Sequence, residues 1–383
     1  KNIIIFTGKD KIQFPGQKKK IQKYLEIILI NFFLRWGLSL KNFSNKTQLE
    51  NYFRSYDLAK LSDFIFSETI SIDEFNKKNK NFFEIFRNNE LVTYINPIVS
   101  LSDGDIVFSK TEYVKSLFKL LHGTTLKDLT LITHQSDIEI NNKLYSKKPK
   151  AISRWFSVNV SIEKEDLYSI PIGFANDHYN KNINPDIYGK KNQATKKSNH
   201  IYINFNPNTN FIEREKILKT YNDNKDFVIS TNNSEMAKYR DDLEKYKYVL
   251  CPPGNGIQTH RLWEAMYFGS IPVVKDSILY KNFKKLNIIF VDNFKNIKVN
   301  ELEKNINNQP IHYKQFFKEY YEAIFTKEYN QQLNKHILEL TPKSLNNIKR
   351  KHLLVSKLNK FYKPIRSKLF RAYFSVFKIF IIF

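Results

Sequence analysis

Residues 246–274 read YKYVLCPPGNGIQTHRLWEAMYFGSIPVV and carry the pattern of a strand, a tight loop, a helix and a second strand. The short apolar run at 248–251 has the composition of a buried strand. Segment 252–256, PPGNG, predicts a loop, because its prolines and glycines suit neither a strand nor the interior of a helix. A helix at 259–268 would begin with a threonine N-cap and stop at a glycine, and 270–274 would form the next strand.

The loop and the start of this helix have the composition of a diphosphate site. Unpaired backbone N–H groups and the positive end of the helix dipole favour an anion there. Arg261 adds several donors for phosphate oxygens, and Glu264, one turn further on, can accept hydrogen bonds from ribose hydroxyls. An ordinary strand–loop–helix unit, with an acidic residue that only favours the dipole, has the same spacing and stays open. The predicted donor-binding residues of this segment are Gly254, Asn255, Gly256, Thr259, His260, Arg261 and Glu264.

This stretch resembles the nucleotide-binding signature of exostosin-type glycosyltransferases. The resemblance rests on the loop 251–254, CPPG, the helix start 259–265, THRLWEA, and the strand 269–274, GSIPVV. Relatives often carry an acidic residue immediately before the T-H-R stretch, where this chain has Gln258. The resemblance implies a nucleotide-sugar-dependent transferase, and it covers under a tenth of the chain.

Composition limits the class of protein. A chain of 383 residues exceeds one ordinary core and predicts two domains with additions. The single cysteine, Cys251, excludes internal disulfides and cysteine-based zinc sites, and it agrees with a reducing compartment. The net charge of +24 predicts an acidic partner, with nucleic acid, an anionic membrane and an anionic glycan all open on charge alone.

Strand and helix patterns alternate on both sides of the segment 169–174, SIPIGF. Strands are predicted at 3–6, 105–108 and 129–133 before it. A second alternation of strands and helices follows from residue 200 to 291. Segment 169–174 resembles the strand that enters the hinge in two-domain glycosyltransferases of the GT-B type, and an ordinary strand with a turn glycine stays open. The alternation predicts two Rossmann-like domains, and the resemblance implies an α/β fold of GT-B architecture in which they face a cleft.

The predicted boundaries follow the hinge. Residues 1–172 would form an acceptor-binding domain, and 173–335 a nucleotide-sugar-binding domain. Residues 336–383 would form a C-terminal helix and a basic amphipathic tail. A packed C-terminal helix is the alternative for that last segment.

The tail predicts contact with a membrane surface. Residues 343–383 contain no Asp or Glu, and basic residues alternate with aromatic ones from Arg366 to Phe383. Such a stretch is typical of a helix on an anionic bilayer. No apolar run reaches the roughly 20 residues of a spanning helix, and residues 3–6 are too short for a signal peptide. We expect a cytoplasmic protein, peripheral on the membrane, with no nucleic-acid partner.

His134 and Asp137 follow a strong strand of the first domain and are the predicted catalytic residues. An inverting transfer needs a base that takes the proton of the attacking hydroxyl. A loop-capping Asp and a hydrogen-bonded His remain the alternative. A retaining enzyme would need no such base.

Three further segments carry polar residues. Asn206 and Arg214 follow the first strand of the second domain and are predicted donor-binding residues, although Arg214 is equally typical of a helix surface. The D-G-D sequence 103–105 matches a metal-binding pattern, but it is also a common turn before a strand. The cluster at 238–240, KYR, is interpreted as a solvated helix face.

Together with these patterns, the resemblance to exostosin-type enzymes implies a metal-independent, inverting glycosyltransferase. It would use a nucleotide-sugar donor of the UDP or GDP type as substrate, and no cofactor. The acceptor would be a glycan or a lipid-linked glycan, as in the synthesis of a cell-surface polysaccharide or lipopolysaccharide. The alternative is a protein that binds nucleotide-sugars or glycans without turnover.

Overall fold

The computed structural model describes residues 3–7, 10–14, 54–78, 81–175, 197–230, 235–304, 306, 318–325 and 334–360. The chain divides into two compact units, residues 1–51 and 52–383. The basic segment 366–383 lies outside the described residues.

The first unit contains a two-stranded antiparallel sheet. Strand β1, Ile3–Thr7, pairs with β2, Asp10–Phe14. The strand expected at residues 3–6 is confirmed, but its role as the first strand of the α/β sheet is wrong. Strand β1 pairs instead with β2, from which only two residues of the chain separate it.

The second unit begins with a seven-stranded mixed sheet of order β10-β9-β8-β7-β3-β5-β4, and β6 lies outside it. Strands β10, β9, β8, β7 and β3 run parallel, whereas β5 and β4 are antiparallel to their neighbours. The strands of this part of the chain are β3 Phe64–Ser71, β4 Phe83–Arg87, β5 Leu91–Ile95, β6 Ile98–Ser102, β7 Ile106–Lys110, β8 Leu129–His134, β9 Ile152–Ser157 and β10 Leu167–Ser169. The helices are α1 Ser55–Lys60, α2 Ile72–Lys77, α3 Val114–Leu121 and α4 Asn142–Tyr145.

This sheet has a hydrophobic core on each face. On β7, Val107 belongs to the core covered by α3, and Phe108 belongs to the core covered by α1. Adjacent side chains of a strand point to opposite faces, so a strand between two helical layers is apolar throughout. Strand β8 is buried at every position for this reason.

The second sheet has five parallel strands in the order β12-β11-β13-β14-β15. Its strands are β11 Ser198–Ile203, β12 Phe227–Ile229, β13 Tyr246–Leu250, β14 Ile271–Lys275 and β15 Ile289–Val291. Its helices are α5 Phe211–Tyr221, α6 Met236–Lys245, α7 His260–Tyr267 and α8 Val299–Lys304. This sheet confirms the alternation of strands and helices predicted from residue 200 to 291, as expected for short apolar runs between turn signals.

The chain then returns to the first sheet. Helix α9, Lys318–Phe325, packs in the core that also contains Leu58 of α1. Strand β16, Lys335–Glu339, pairs with β6, and residues 342–360 form helix α10. Thr341 caps that helix through a 3.2 Å bond from the Ser344 N–H. None of the helices that the structure describes is long and apolar enough to cross a membrane.

An α/β fold with parallel strands is confirmed. The expected boundary at 172/173 falls between the two sheets, but both sheets belong to one compact unit. The division into two domains facing a cleft therefore stays a prediction. The antiparallel strands β4 and β5 were missed, and they make the first sheet mixed rather than wholly Rossmann-like.

Candidate functional site

The loop 251–259 joins β13 to α7 at the carboxyl edge of the second sheet. In open parallel sheets, ligands bind at this edge. The loop is closed on itself by a 2.9 Å bond from the Gly254 N–H to the carbonyl of Gly256. The predicted strand–loop–helix–strand unit is therefore present, with its loop where a ligand site is expected.

The side chain of Arg214, on α5, binds backbone carbonyls of this loop. Its Nη2 donates to the Pro252 carbonyl at 3.0 Å, and its Nε donates to the Pro253 carbonyl at 2.9 Å. A further Nη1 bond of 2.9 Å reaches the carbonyl of Asn206. The side chain is buried, and this burial, followed by the charge of Arg261, lowers the pKa of Arg214 to about 9. Arg214 thus binds loop carbonyls, which corrects its predicted role as a direct phosphate ligand.

Asn206 lies beside this loop, but its side chain is hydrogen-bonded to a neighbouring residue of its own segment. It is exposed, and its Oδ1 accepts a 2.9 Å bond from the Asn208 N–H, which caps the short helical turn Pro207–Thr209. Through Arg214, its carbonyl is tied to the same guanidinium as the loop. The structure therefore brings Asn206 to the site, and contact with a donor stays a prediction.

Asn159 connects the first sheet to the loop and was missed by the sequence analysis. Its Oδ1 accepts bonds from the N–H groups of Ile257, at 2.8 Å, and Gln258, at 3.2 Å. Its Nδ2 donates to the Ser136 carbonyl at 3.0 Å. The backbone of Asn159 is left-handed, with φ of 51°, a conformation that asparagine tolerates better than most residues. No sequence signal distinguishes it from an ordinary loop asparagine.

Because Gly256 has no side chain, the amide of Asn159 can lie directly against its backbone. A Cβ atom at position 256 would lie 2.8 Å from Nδ2 and 2.9 Å from Oδ1 of the asparagine. Such distances are too short for non-bonded atoms, so the glycine permits the close approach of the amide.

The crossover segment 170–173 is held by side chains of the motif. Gln258 Nε2 donates to the Ile170 carbonyl at 2.8 Å, and Gln258 Oε1 accepts from the Ile172 N–H at 2.9 Å. His260 donates from Nδ1 to the Gly173 carbonyl at 2.8 Å. An amide both donates and accepts, whereas an ionised carboxylate only accepts. The glutamine at the position where relatives often carry an acid therefore has a defined structural role.

His134 is the third side chain that binds the crossover. It is 1% exposed; its Nε2 donates to the Pro171 carbonyl at 3.1 Å, and its Nδ1 accepts from the Gln135 N–H at 2.7 Å. These bonds require the neutral ring, and burial lowers the pKa of His134 to about 3. Because both ring nitrogens are engaged within the protein, the structure corrects the prediction that His134 is a catalytic base.

Asp137 remains as the candidate base. It is exposed, on the loop that follows β8. The preceding residue, Ser136, is bound by Asn159, which in turn binds the amides of residues 257 and 258. The hydrogen bonds therefore bring the Asp137 loop against the loop of the second sheet.

Arg261 and Glu264 lie in the first two turns of α7. The Arg261 Nε is buried and has no hydrogen-bond partner within the described part of the chain. Glu264 is 8% exposed and accepts a 2.7 Å bond from the Tyr239 hydroxyl. Thr259 occupies the N-cap position, as predicted, but its hydroxyl makes no capping bond.

Tyr239 corrects the interpretation of residues 238–240 as a solvated face. It is 8% exposed, on the buried side of α6 together with Leu243. Burial, followed by the charge of Glu264, raises its pKa well above the ordinary value. The phenol therefore remains a donor to Glu264 at any ordinary pH. The spacing of Tyr239 and Leu243, four residues apart, was the available signal.

The D-G-D sequence forms a turn at the opposite edge of the first sheet, since it precedes β7. Asp103 accepts bonds from the Lys127 and Asn334 N–H groups, at 2.7 and 3.3 Å, and Asp105 accepts one from Ser102 at 2.7 Å. Burial alone would raise the pKa of Asp103, but these hydrogen bonds lower it. Among the described residues, no group of three His, Cys, Asp or Glu is arranged to hold a metal.

We expect Gln258→Glu to destabilise the fold at pH 7.5 by on the order of 1–3 kcal/mol, because a carboxylate cannot donate to the Ile170 carbonyl. Beside a carbonyl, the folded-state pKa of the new carboxyl is raised. The stability lost in Gln258→Glu should therefore become smaller as the pH falls and the new carboxyl group is protonated. Melting temperatures between pH 5 and 8 measure this. Gln258→Met, which loses the bonds without adding a charge, should show a pH-independent deficit; the same profile for both variants would contradict the assignment.

Gly256→Ala should cost about 1–3 kcal/mol of stability, because its Cβ overlaps the Asn159 amide. In an Asn159→Gly background, that amide is absent and the left-handed backbone is retained, so the same substitution should cost much less. A double-mutant cycle by urea unfolding measures the coupling. Additive effects would show that the glycine is required for another reason.

The buried neutral His134 predicts a stability change with pH. Its folded-state pKa of about 3 lies below the unfolded value of about 6.5. Unfolding therefore takes up a proton between these values, and stability is lost as pH falls below about 6.5, by up to ~1.4 kcal/mol per pH unit. The unfolding free energies of the protein and of His134→Gln are compared between pH 7 and 4. As the pH falls, the free energy of the original chain should decrease relative to that of the variant by up to this amount per pH unit. Parallel curves would show that His134 titrates normally.

Residues 209–377, which are 169 of 383, match the family model described as the RXYLT1 C-terminal domain. This match supports a glycosyltransferase family, and the mixed α/β structure with parallel sheets fits an α/β glycosyltransferase fold. No curated protein matches the chain.

Proposed function

We propose that the protein is a glycosyltransferase that transfers a sugar from a nucleotide-sugar to a glycan or lipid-linked glycan. The observation that carries this proposal is the pair Arg261 and Glu264 at the start of α7. Arg261 has a buried Nε without a hydrogen-bond partner in the described part of the chain, and Glu264 is a nearly buried carboxylate. They follow a glycine loop at the carboxyl edge of a parallel sheet, where a nucleotide diphosphate would supply the missing partner.

The donor would lie along the loop and the first turns of α7. The backbone N–H groups of residues 255 and 256 and the guanidinium of Arg261 would bind the diphosphate. Glu264 would accept hydrogen bonds from the ribose. Its second oxygen is already bound by Tyr239 at 2.7 Å, which fixes the orientation of the carboxylate. Arg214 contributes positive charge from behind the loop rather than direct contact.

The acceptor would approach from the loop that contains Asp137. Its hydroxyl oxygen attacks the anomeric carbon, the bond from that carbon to the diphosphate oxygen breaks, and the hydroxyl proton passes to Asp137. This displacement inverts the anomeric configuration. Arg261 and the loop amides stabilise the negative charge on the departing nucleoside diphosphate, so the proposal requires no metal ion.

The donor would be of the UDP or GDP type, and the acceptor part of a cell-surface polysaccharide or lipopolysaccharide. The proposed location is the cytoplasmic face of a membrane. The excess of positive charge, +24 over the chain, supports an anionic surface or an anionic acceptor. The two-domain GT-B arrangement is part of this proposal.

Arg261→Ala should weaken nucleoside diphosphate binding roughly 10–100-fold and leave nucleoside binding nearly unchanged, because only the diphosphate contacts the guanidinium. Thermal shifts with the nucleosides uridine and guanosine, and with UDP, GDP, CMP and their sugar conjugates, each with and without EDTA, measure this. Lys238→Ala, which removes an exposed cation from α6, is the matched control. Equal losses for nucleoside and diphosphate would contradict this position of the donor.

Transfer assays with lipid-linked acceptors then test turnover. Glu264→Gln should lose transfer while keeping its melting temperature, whereas Glu235→Gln, at an exposed carboxylate, should retain activity. A nucleotide-dependent shift without transfer or donor hydrolysis would favour the alternative, a binding protein without turnover. The absence of any shift would leave the loop as an ordinary strand–loop–helix connection.

A further inference from the structure

Helix α10 packs on the first sheet along only part of its length. Leu345 and Ile348 belong to or contact the core of that sheet. One turn later, the His352 Nδ1 lies 3.0 Å from the Tyr113 hydroxyl, and its ring lies 5.8 Å from that of Phe86. These positions, three and four residues apart, form the face that holds the helix to the protein.

Beyond His352 the helix exposes large apolar side chains. Ser356 is the only later residue of the described helix that is partly buried. The exposed fractions are Leu353 43%, Leu354 58%, Val355 55% and Leu358 44%. Leu354 and Leu358 are four residues apart and therefore adjacent on one face, directed away from the face that carries Leu345 and His352. A soluble surface rarely concentrates such residues without a partner.

The same helix carries only positive charge. Residues 340–383 contain no Asp or Glu. Arg350 and Lys351 precede Leu354 by four and three residues, and Lys357 precedes Leu358 by one, so cations border the leucine pair. The cations of the described helix are Lys343, Lys349, Arg350, Lys351, Lys357 and Lys360.

We infer that the leucine face of α10, defined by Leu354 and Leu358 and flanked on either side by the exposed Leu353 and Val355, docks on an anionic lipid bilayer. Apolar side chains would enter the boundary of the acyl chains while the bordering cations meet the lipid phosphates. A second copy of this helix would bring like charges together without a compensating carboxylate, which disfavours self-association. The inference concerns a folded helix, distinct from residues 366–383, and it does not depend on glycosyl transfer.

The test uses the full chain and two double variants. Leu354→Ser with Leu358→Ser removes apolar surface and keeps every charge. Ile98→Ser with Ile337→Ser removes similarly exposed side chains, 50% and 72%, from the β6–β16 ribbon and is the matched control. Each protein is floated with vesicles of phosphatidylcholine alone or mixed with phosphatidylglycerol, in low and high salt.

We expect the original chain to bind the mixed vesicles, more weakly in high salt, and not the neutral ones. The leucine variant should lose binding at least about tenfold, with an unchanged melting temperature, and the isoleucine control should bind normally. Unchanged binding of the leucine variant, or equal loss in the control, would overturn the inference. A lowered melting temperature would show that the leucines are covered by protein, and a change from dimer to monomer would show self-association; each would also overturn it.

Discussion

The crossover between the two sheets depends on side chains that bind backbone groups. Gln258 binds both Ile170 and Ile172, His260 binds Gly173, and His134 binds Pro171. A segment of irregular backbone buried between two sheets has no strand neighbour for its carbonyls, so each unpaired group would cost about 1–3 kcal/mol. These bonds fix the distance between the carboxyl edges of the two sheets, and the candidate site lies at that junction.

Because buried polar groups need hydrogen-bond partners, the bonds in the structure distinguish polar side chains that hold the fold together from those that can bind a substrate. Arg214 and His134 have the residue types of ligands, but protein carbonyls already occupy their donors. Arg261 has no such partner in the described structure, and Glu264 has one, Tyr239. Unused hydrogen-bonding capacity, rather than residue type, therefore indicates which side chains are placed for a substrate. The proposed donor site combines Arg261, whose Nε has no partner in the described part of the chain, with Glu264, which Tyr239 orients.

The C-terminal part of the chain carries a second surface, which is apolar and basic rather than built for a nucleotide. Strand β16 pairs with β6, and α10 continues along the first sheet before it exposes its leucines and cations. If that helix rests on a bilayer, the sheet that carries Asp137 is held near the lipid headgroups. An acceptor anchored in the membrane would then approach the loop at Asp137 at a raised local concentration.

The sequence alone determined the local elements and the principal motif. Short apolar runs, the PPGNG loop and the helix at 259–268 predicted the second sheet closely, because turn residues and periodicity are local properties. Antiparallel strands β5 and β6 were missed, since pairing between distant strands decides them. Only the tertiary structure decided which polar residues are bound within the protein: Asn159, Tyr239 and Gln258 acquire their roles from partners far away in the chain. Residue spacing thus identified the candidate site, and hydrogen-bond partners decided which of its side chains remain available for chemistry.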